Sequence, residues 1–156
     1  MRTFTLLKGL PVYNSKTGKA LGVIDDLQLS SDGMIQAIVV DVKGLFGRDR
    51  HIPVQNVLSF GQDGVMINDF QVQHTGFDKS SHYLCHQHGL LGQLIYTAEG
   101  EKLGIVEDVY FDENLGTILG YEVSVGFFAD LSEGKRVIKS NTPLQYGEDI
   151  ILIDLD

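Results

Sequence analysis

Cysteine is nearly absent from this chain of 156 residues: Cys85 is its single copy, so no disulfide can form within the chain. Proteins without disulfides are typical of reducing compartments, and we expect a cytoplasmic protein. Proline is also scarce, with 3 residues against 18 glycines. Glycine without proline indicates many tight turns, and therefore many short strands.

Long apolar runs are lacking too. The stretch from Ile35 to Val40 already contains Gln36, and no run approaches the roughly 20 residues that a membrane-spanning helix needs. The stretch from Met1 to Lys8 is too short and too soon interrupted to be the apolar core of a signal peptide. We therefore expect no membrane insertion.

Positive charge is in short supply, and the shortage is confined to the second half. Up to Gln73 there are seven Lys or Arg and seven Asp or Glu, which sum to zero. From His74 onward five basic residues oppose fourteen acidic ones, so this half carries the whole net charge of -9. An acidic half repels phosphate backbones and anionic lipids. Direct nucleic-acid binding is therefore disfavoured, whereas a basic protein partner is compatible with the charge.

Catalytic signatures are missing as well. The glycines form neither G-x-G-x-x-G nor a phosphate-binding Walker loop, and no serine stands in a nucleophile elbow. We expect a protein that is not an enzyme and needs no cofactor.

What the chain does have is one pattern written twice. Gly18 to Asp41 reads GKALGVIDDLQLSSDGMIQAIVVD, and Gly100 to Ser124 reads GEKLGIVEDVYFDENLGTILGYEVS, displaced by about 82 to 83 residues. Agreement at so many turn and core positions indicates an internal duplication. We predict a first repeat over residues 1–68, a His-rich linker over 69–89 and a second repeat over 90–156.

Each repeat has the pattern of several short strands. From Leu21 to Ser30 side chains alternate between two faces with a period of two, which is typical of a strand. Asp32-Gly33 then predicts a hairpin turn, and Met34 to Val42 is the return strand. A small sheet hides its edges best by closing on itself. We predict an all-β protein of two small β-barrels packed side by side, with at most short helical turns.

The repeated unit resembles the PRC-barrel domain. The matching residues are a G-x-x-V/I-Y opening, at Gly9 to Tyr13 and Gly92 to Tyr96, and Leu-Gly-x-V/I-x-Asp, at Leu21 to Asp26 and Leu103 to Asp108. The tandem arrangement looks like that of an uncharacterised two-domain group of Bacillus-like bacteria. The resemblance implies docking or regulation without shared catalytic residues. In its known settings the domain supports electron-transfer proteins, as in the photosynthetic reaction-centre H subunit, or binds a ribosomal protein, as in a ribosome maturation factor.

Apolar pairs follow a glycine in two equivalent loops, at Leu45-Phe46 and at Phe127-Phe128. Apolar side chains at a loop tip are costly in water, so we expect something to cover them. The other barrel could do so, and so could a protein partner that uses them as an anchor. Both interpretations stay open at this point.

Metal-ligand residue types cluster in the linker, at His82, Cys85, His86 and His88. Imidazole and thiolate suit zinc, copper or nickel. The spacing is not that of a zinc finger, and a polar linker without metal is the favoured interpretation. A Cys–His nucleophile at Cys85 is conceivable, but a flexible linker is a poor place to preorganise one.

Paired acids recur at the same place in both repeats, as Asp25-Asp26 and Glu107-Asp108. On a regular strand adjacent side chains point to opposite faces, so we predict that neither pair converges on one site. We expect one acid of each pair to accept hydrogen bonds from turn amides and the other to face water.

The preferred function is therefore a cytoplasmic, non-enzymatic adaptor that binds a protein partner, with a homo-oligomer also compatible. Two alternatives remain. One is a metal-responsive protein that uses the linker. The other is a factor linked to RNA metabolism through a ribosomal-protein partner.

Overall fold

A computed structural model describes residues 2–42, 49–68, 79–114, 116–126, 131–132, 134–139 and 142–155. Strands dominate these residues, and helix is limited to short turns such as α1 (Phe4–Leu7) and a 3-10 turn (Val54–Asn56). In the part of the chain so described, no helix combines the length and the apolar character that crossing a membrane requires. The predicted all-β fold with short helical turns is confirmed.

The first repeat forms one strongly coiled sheet. In spatial order its strands run β5-β4-β3-β2-β7-β6. Neighbours are antiparallel except β2 and β7, which are parallel. The strands are β2 (Pro11–Asn14), β3 (Ala20–Leu29), β4 (Ile35–Asp41), β5 (Asp49–Pro53), β6 (Val57–Phe60) and β7 (Val65–Ile67).

The second repeat forms the same sheet again, in the order β12-β11-β10-β9-β14-β13. The parallel pair is now β9 with β14. The strands are β9 (Leu94–Thr97), β10 (Lys102–Asp112), β11 (Thr117–Ser124), β12 (Arg136–Lys139), β13 (Gln145–Tyr146) and β14 (Ile151–Ile153). Two small β-barrels related by duplication are thus confirmed.

Local sequence explains the long hairpin of each barrel. β3 and β4 are joined through Gly33, whose φ of +77° is accessible to glycine at little cost. Gly116, with φ of +69°, occupies the same place between β10 and β11. β4 is the predicted return strand. It is rich in β-branched residues and almost wholly buried.

The two barrels exchange their leading segments. β1 (Arg2–Thr3) precedes the first repeat but pairs with β10 of the second. β8 (His82–Tyr83) precedes the second repeat but pairs with β3 of the first. The buried apolar side chains of both halves consequently form one continuous core. Residues 79–89, which fall within the predicted linker, therefore contain a structural strand, while the exact repeat boundaries stay a prediction.

A second contact joins the hairpin tips. Met34 and Thr117 form an isolated antiparallel bridge. The amide of Ile35 donates to the carbonyl of Gly116 at 2.8 Å, and the amide of Ile118 donates to the carbonyl of Gly33 at 3.4 Å. Each amide donates to the residue two positions before its own counterpart, and Met34 bridges its own counterpart Thr117, so the bridge lies on a pseudo-twofold axis between the barrels.

Candidate functional site

A β-bulge lies at Asp25 on β3. In the pairing of β3 with β4, Ile24 faces Val40 and Asp26 faces Val39, which leaves Asp25 as the extra residue. A bulge breaks the strict alternation of side chains. Both carboxylates therefore approach the imidazole of His86. The prediction that Asp25 and Asp26 cannot converge on one site is wrong.

The Asp26 carboxylate is fully buried and anchors the segment that follows β8. Its oxygens accept hydrogen bonds from the backbone amides of Leu27 at 2.8 Å, Leu84 at 3.1 Å, Cys85 at 3.0 Å and His86 at 3.0 Å. Hydrogen bonds from backbone amides to a carboxylate are among the stronger hydrogen bonds in proteins. The expectation that one acid of the pair caps turn amides is confirmed.

His86 is held in one orientation by that same carboxylate. Its Nδ1 lies 2.6 Å from Asp26 Oδ2, and since the carboxylate accepts, Nδ1 donates. The other ring nitrogen, Nε2, lies 3.4 Å from Asp25 Oδ2. Asp26 thus fixes the ring and directs Nε2 toward Asp25.

Asp49, the first residue of β5, completes an acidic group around that nitrogen. It stands directly opposite Asp41 on β4. One donor atom each from Asp25, Asp49 and His86 lie within 4.8 Å of one another. Desolvation, and after it the charge and hydrogen bond of Asp25, raises the pKa of Asp49 to about 6. Like charges are crowded here, which disfavours the charged form of Asp49.

Two of the other predicted linker ligands make different contacts. The ring of His82 stacks on Tyr146, with centroids 3.8 Å apart and an interplanar angle of 8°. The backbone carbonyl of His88 accepts a hydrogen bond from Gln93 Nε2. Of the four linker residues, only His86 belongs to a group of three clustered donor residues among those the structure describes.

Cys85 is exposed and lies beside Lys8, with Sγ 3.8 Å from Nζ. Desolvation, followed by the negative charge of Asp26, raises the pKa of the Cys85 thiol to about 11. A thiol with such a pKa is almost wholly protonated at neutral pH, and the thiolate is the nucleophilic form. The environment of Cys85 is therefore unlike that of an activated cysteine.

The second barrel repeats this arrangement with different side chains. Asp108 is buried and accepts hydrogen bonds from the amides of Thr5 at 3.1 Å and Val109 at 2.9 Å. Glu107 forms an ion pair with Lys135, whose Nζ also lies 3.6 Å from Glu122. The buried acid anchors α1, just as Asp26 anchors the segment after β8.

The apolar loop pairs Leu45-Phe46 and Phe127-Phe128 lie outside the described residues, and their role stays a prediction. His51 lies on β5, and its Nε2 is 3.0 Å from the hydroxyl of Tyr83. Asp49 and Asp41 were not predicted as site residues, because nothing local in the sequence shows that strands β4 and β5 bring them beside Asp25.

Two duplicated, intertwined barrels with a buried motif aspartate in each define a tandem small-barrel protein. The model of the PRC-barrel domain matches residues 1–74 and again residues 86–156. The chain therefore belongs to the PRC-barrel family. It is also similar to YrrD, an uncharacterised protein of Bacillus subtilis strain 168, with 31% identity over 141 residues, which cover 89% of this chain and 79% of that protein.

Proposed function

We propose that this PRC-barrel protein is a non-enzymatic adaptor that docks a protein partner in the cytoplasm through the outer face of its second barrel. Membership of the family supports a role in docking, which is the kind of role that the resemblance implies.

The outer face of β10, β11 and β12 carries exposed apolar side chains. Ile105 pairs with Ser124, and Val137 pairs with Glu122. Because Ser124 and Glu122 are two residues apart on β11, these side chains share one face of the sheet. Ile105 is 42% exposed and Val137 is 48% exposed.

The corresponding face of the first barrel is covered, and this difference between the barrels is the main support for the proposal. There the counterpart of Val137 is His51, which is covered by the buried ring of Tyr83, with centroids 5.7 Å apart. Tyr83 pairs with Gln28 of β3. The counterpart of Gln28 in the second barrel is Tyr110, and it pairs with the small Thr3. The face that the chain itself covers in the first barrel is thus left open in the second.

Charge favours a basic partner for the second barrel as a whole. The half of the chain that contains the second barrel carries the whole net charge of -9. Complementary charge speeds association and selects among partners more than it adds affinity. A partner with a basic rim around an apolar centre fits both the charge and the exposed side chains.

A non-enzymatic role agrees with the chemistry of the linker. The Cys85 thiol has a pKa raised to about 11, so it is a poor nucleophile at neutral pH. A Cys–His pair that acts in covalent catalysis needs an activated thiol.

Affinity capture from a native cell extract tests the proposal, with the full chain as bait and mass spectrometry to identify what is retained. The test variant is Ile105→Asp/Val137→Asp, and the control is Leu58→Asp, an apolar residue of the first barrel that is 58% exposed. We expect a partner that wild type and control retain and the double variant loses. A ribosomal protein among the partners would favour the alternative linked to RNA metabolism. Equal capture by all three proteins would contradict docking at this face, provided that circular dichroism shows each to be folded.

A further inference from the structure

Internal duplication allows each position around Asp25 to be compared with its counterpart in the second barrel. In the first barrel Arg50 pairs with Val40, and in the second Arg136 pairs with Val123. The residues that precede these two arginines are therefore counterparts. They are Asp49 in the first barrel and Lys135 in the second.

The same comparison applies to the neighbours. Asp25 and Glu107 are the bulge residues of the two barrels. In the second barrel Lys135 neutralises that acid through an ion pair. In the first barrel the lysine is replaced by a second carboxylate, with Asp41 directly opposite it. Like charges directly opposite each other destabilise a sheet. The first barrel therefore gathers negative charge at the place where the second barrel has an ammonium group.

A histidine is brought to this place by the exchanged segment. The amides of Cys85 and Thr5 bond to the equivalent acids Asp26 and Asp108. The next residue along each segment is His86 in the first barrel and Leu6 in the second, and Leu6 is 67% exposed. Where the second barrel has a lysine and a leucine, the first barrel has an aspartate and a histidine.

We infer that the first barrel binds a divalent first-row transition-metal ion through the carboxylates of Asp25 and Asp49 and the Nε2 atom of His86. The three donor atoms lie within 4.8 Å of one another. Small side-chain rotations bring such atoms to within roughly 2.0–2.2 Å of a shared ion, which is the distance from ligand atom to metal in zinc sites. The ion occupies the position of the Lys135 ammonium group and offsets the crowded carboxylates.

Asp26 acts as the outer partner of this site. Histidines that bind metals commonly donate their other ring N–H to a carboxylate, which fixes the tautomer and leaves the ligating nitrogen with its lone pair. The 2.6 Å contact from His86 Nδ1 to the buried Asp26 has this geometry. The imidazole is thus oriented for an ion before any ion arrives.

The donor set decides which ions fit. Imidazole nitrogen suits zinc, iron, copper and nickel, whereas magnesium and calcium prefer oxygen ligands alone. One nitrogen and two carboxylates therefore favour zinc or nickel over calcium. Three protein ligands leave coordination positions for water or for a group from another molecule. This site is independent of partner docking, since it lies on the first barrel and the proposed docking face lies on the second.

Isothermal titration calorimetry of the chelator-treated full chain tests the inference, with ZnCl₂ and NiCl₂ as probes and CaCl₂ as the comparison ion. We expect one zinc ion per chain with a Kd below about 10 µM, and no detectable binding of calcium. Asp49→Lys copies the second barrel and is expected to abolish zinc binding. Asp49→Asn is the milder variant and is expected to weaken it by about tenfold or more. A long-range ¹H–¹⁵N spectrum is expected to show the Nε2 resonance of His86 shifting on zinc addition.

Two controls separate this site from others. Glu107→Gln removes the equivalent acid of the second barrel, and His82→Gln/His88→Gln removes the other described histidines of the linker; both are expected to keep full zinc binding. The inference is overturned if wild type binds neither zinc nor nickel. It is equally overturned if binding survives in Asp49→Lys and Asp49→Asn, or if it is lost in His82→Gln/His88→Gln while the fold is retained.

Discussion

Met34 of the first barrel forms a backbone bridge with Thr117, which is its own counterpart in the second barrel. The bridge marks the pseudo-twofold axis, and the exchanged strands β1 and β8 lie on either side of it. Each barrel therefore takes one strand and one set of capping amides from the sequence that leads the other. Two halves connected in this way are expected to fold and unfold as one unit.

Removal of a buried side chain from either exchanged segment tests this coupling. Phe4 on α1 is 1% exposed, and Leu84, its counterpart after β8, is fully buried. We expect Phe4→Ala to lower the free energy of unfolding by about 3–5 kcal/mol and Leu84→Ala by about 2–5 kcal/mol. In urea both variants should show one transition at a lower midpoint. Leu6→Ala, at an exposed position, should stay within about 0.5 kcal/mol of wild type. Two separate transitions would show that the barrels unfold independently.

The Asp26 carboxylate is expected to hold the segment after β8 in its folded position. Asp26→Ala removes the carboxylate that accepts from the amides of Leu27, Leu84, Cys85 and His86, and hydrogen bonds to charged groups are worth about 1.5–3 kcal/mol each. We expect a loss of at least about 3 kcal/mol of unfolding free energy, with faster hydrogen exchange at the amides of Leu84, Cys85 and His86. Asp63→Asn, at an exposed position of the first barrel, is the control and should change stability by less than about 0.5 kcal/mol. Unchanged exchange in Asp26→Ala would contradict the anchoring role.

The motif glycines Gly22 and Gly104 are expected to be sensitive to a single added methyl group. A Cβ at Gly22 would collide with the backbone carbonyl of Asp41, and one at Gly104 with that of Ser124. Overpacking of this kind costs about 1–3 kcal/mol, so we expect Gly22→Ala and Gly104→Ala to lower the thermal midpoint clearly. Lys19→Ala, at an exposed position nearby, serves as the control. Wild-type stability in both alanine variants would show that the strands can separate there without cost.

Cys85 is expected to react slowly with alkylating reagents. The pKa of its thiol is raised from 9.0 to about 11, so the thiolate fraction near pH 8 falls about a hundredfold below that of the unfolded chain. Iodoacetamide labelling of the chelator-treated protein from pH 7 to 11.5, with urea-unfolded protein as reference, measures this. The folded protein should show a midpoint close to pH 11. A midpoint near that of the unfolded chain would mean that the thiol is available for catalysis, and would count against the non-enzymatic role.

Much of the fold could be predicted from the sequence because the hairpins are encoded locally. Alternation along β3 and the Asp32-Gly33 turn specify the long hairpin, and the duplication transfers that prediction to β10 and β11. The exchange of β1 and β8 could not be predicted, because a two-residue strand has no periodicity and its partner lies on the other repeat.

The site was less predictable for a related reason. A bulge changes the side on which Asp25 lies, and the alternation rule alone places Asp25 and Asp26 on opposite faces. The nearness of Asp49 depends on the register of β5, which follows from tertiary pairing. The pairings of Ala37 with Pro53 and of Gly120 with Lys139 set Asp49 against Lys135, a change from acid to base that becomes visible only once those pairings are known.

The affinity of the purified protein for its captured partner tests docking at the second barrel most directly. Titration of that partner with wild type, Leu58→Asp and Ile105→Asp/Val137→Asp gives three dissociation constants under one set of conditions. We expect the first two to agree and the double variant to bind at least about tenfold more weakly, a loss of about 1.4 kcal/mol. We also expect the wild-type affinity to fall as salt rises, because the acidic half faces a basic partner. Equal dissociation constants for all three proteins would contradict docking at this face.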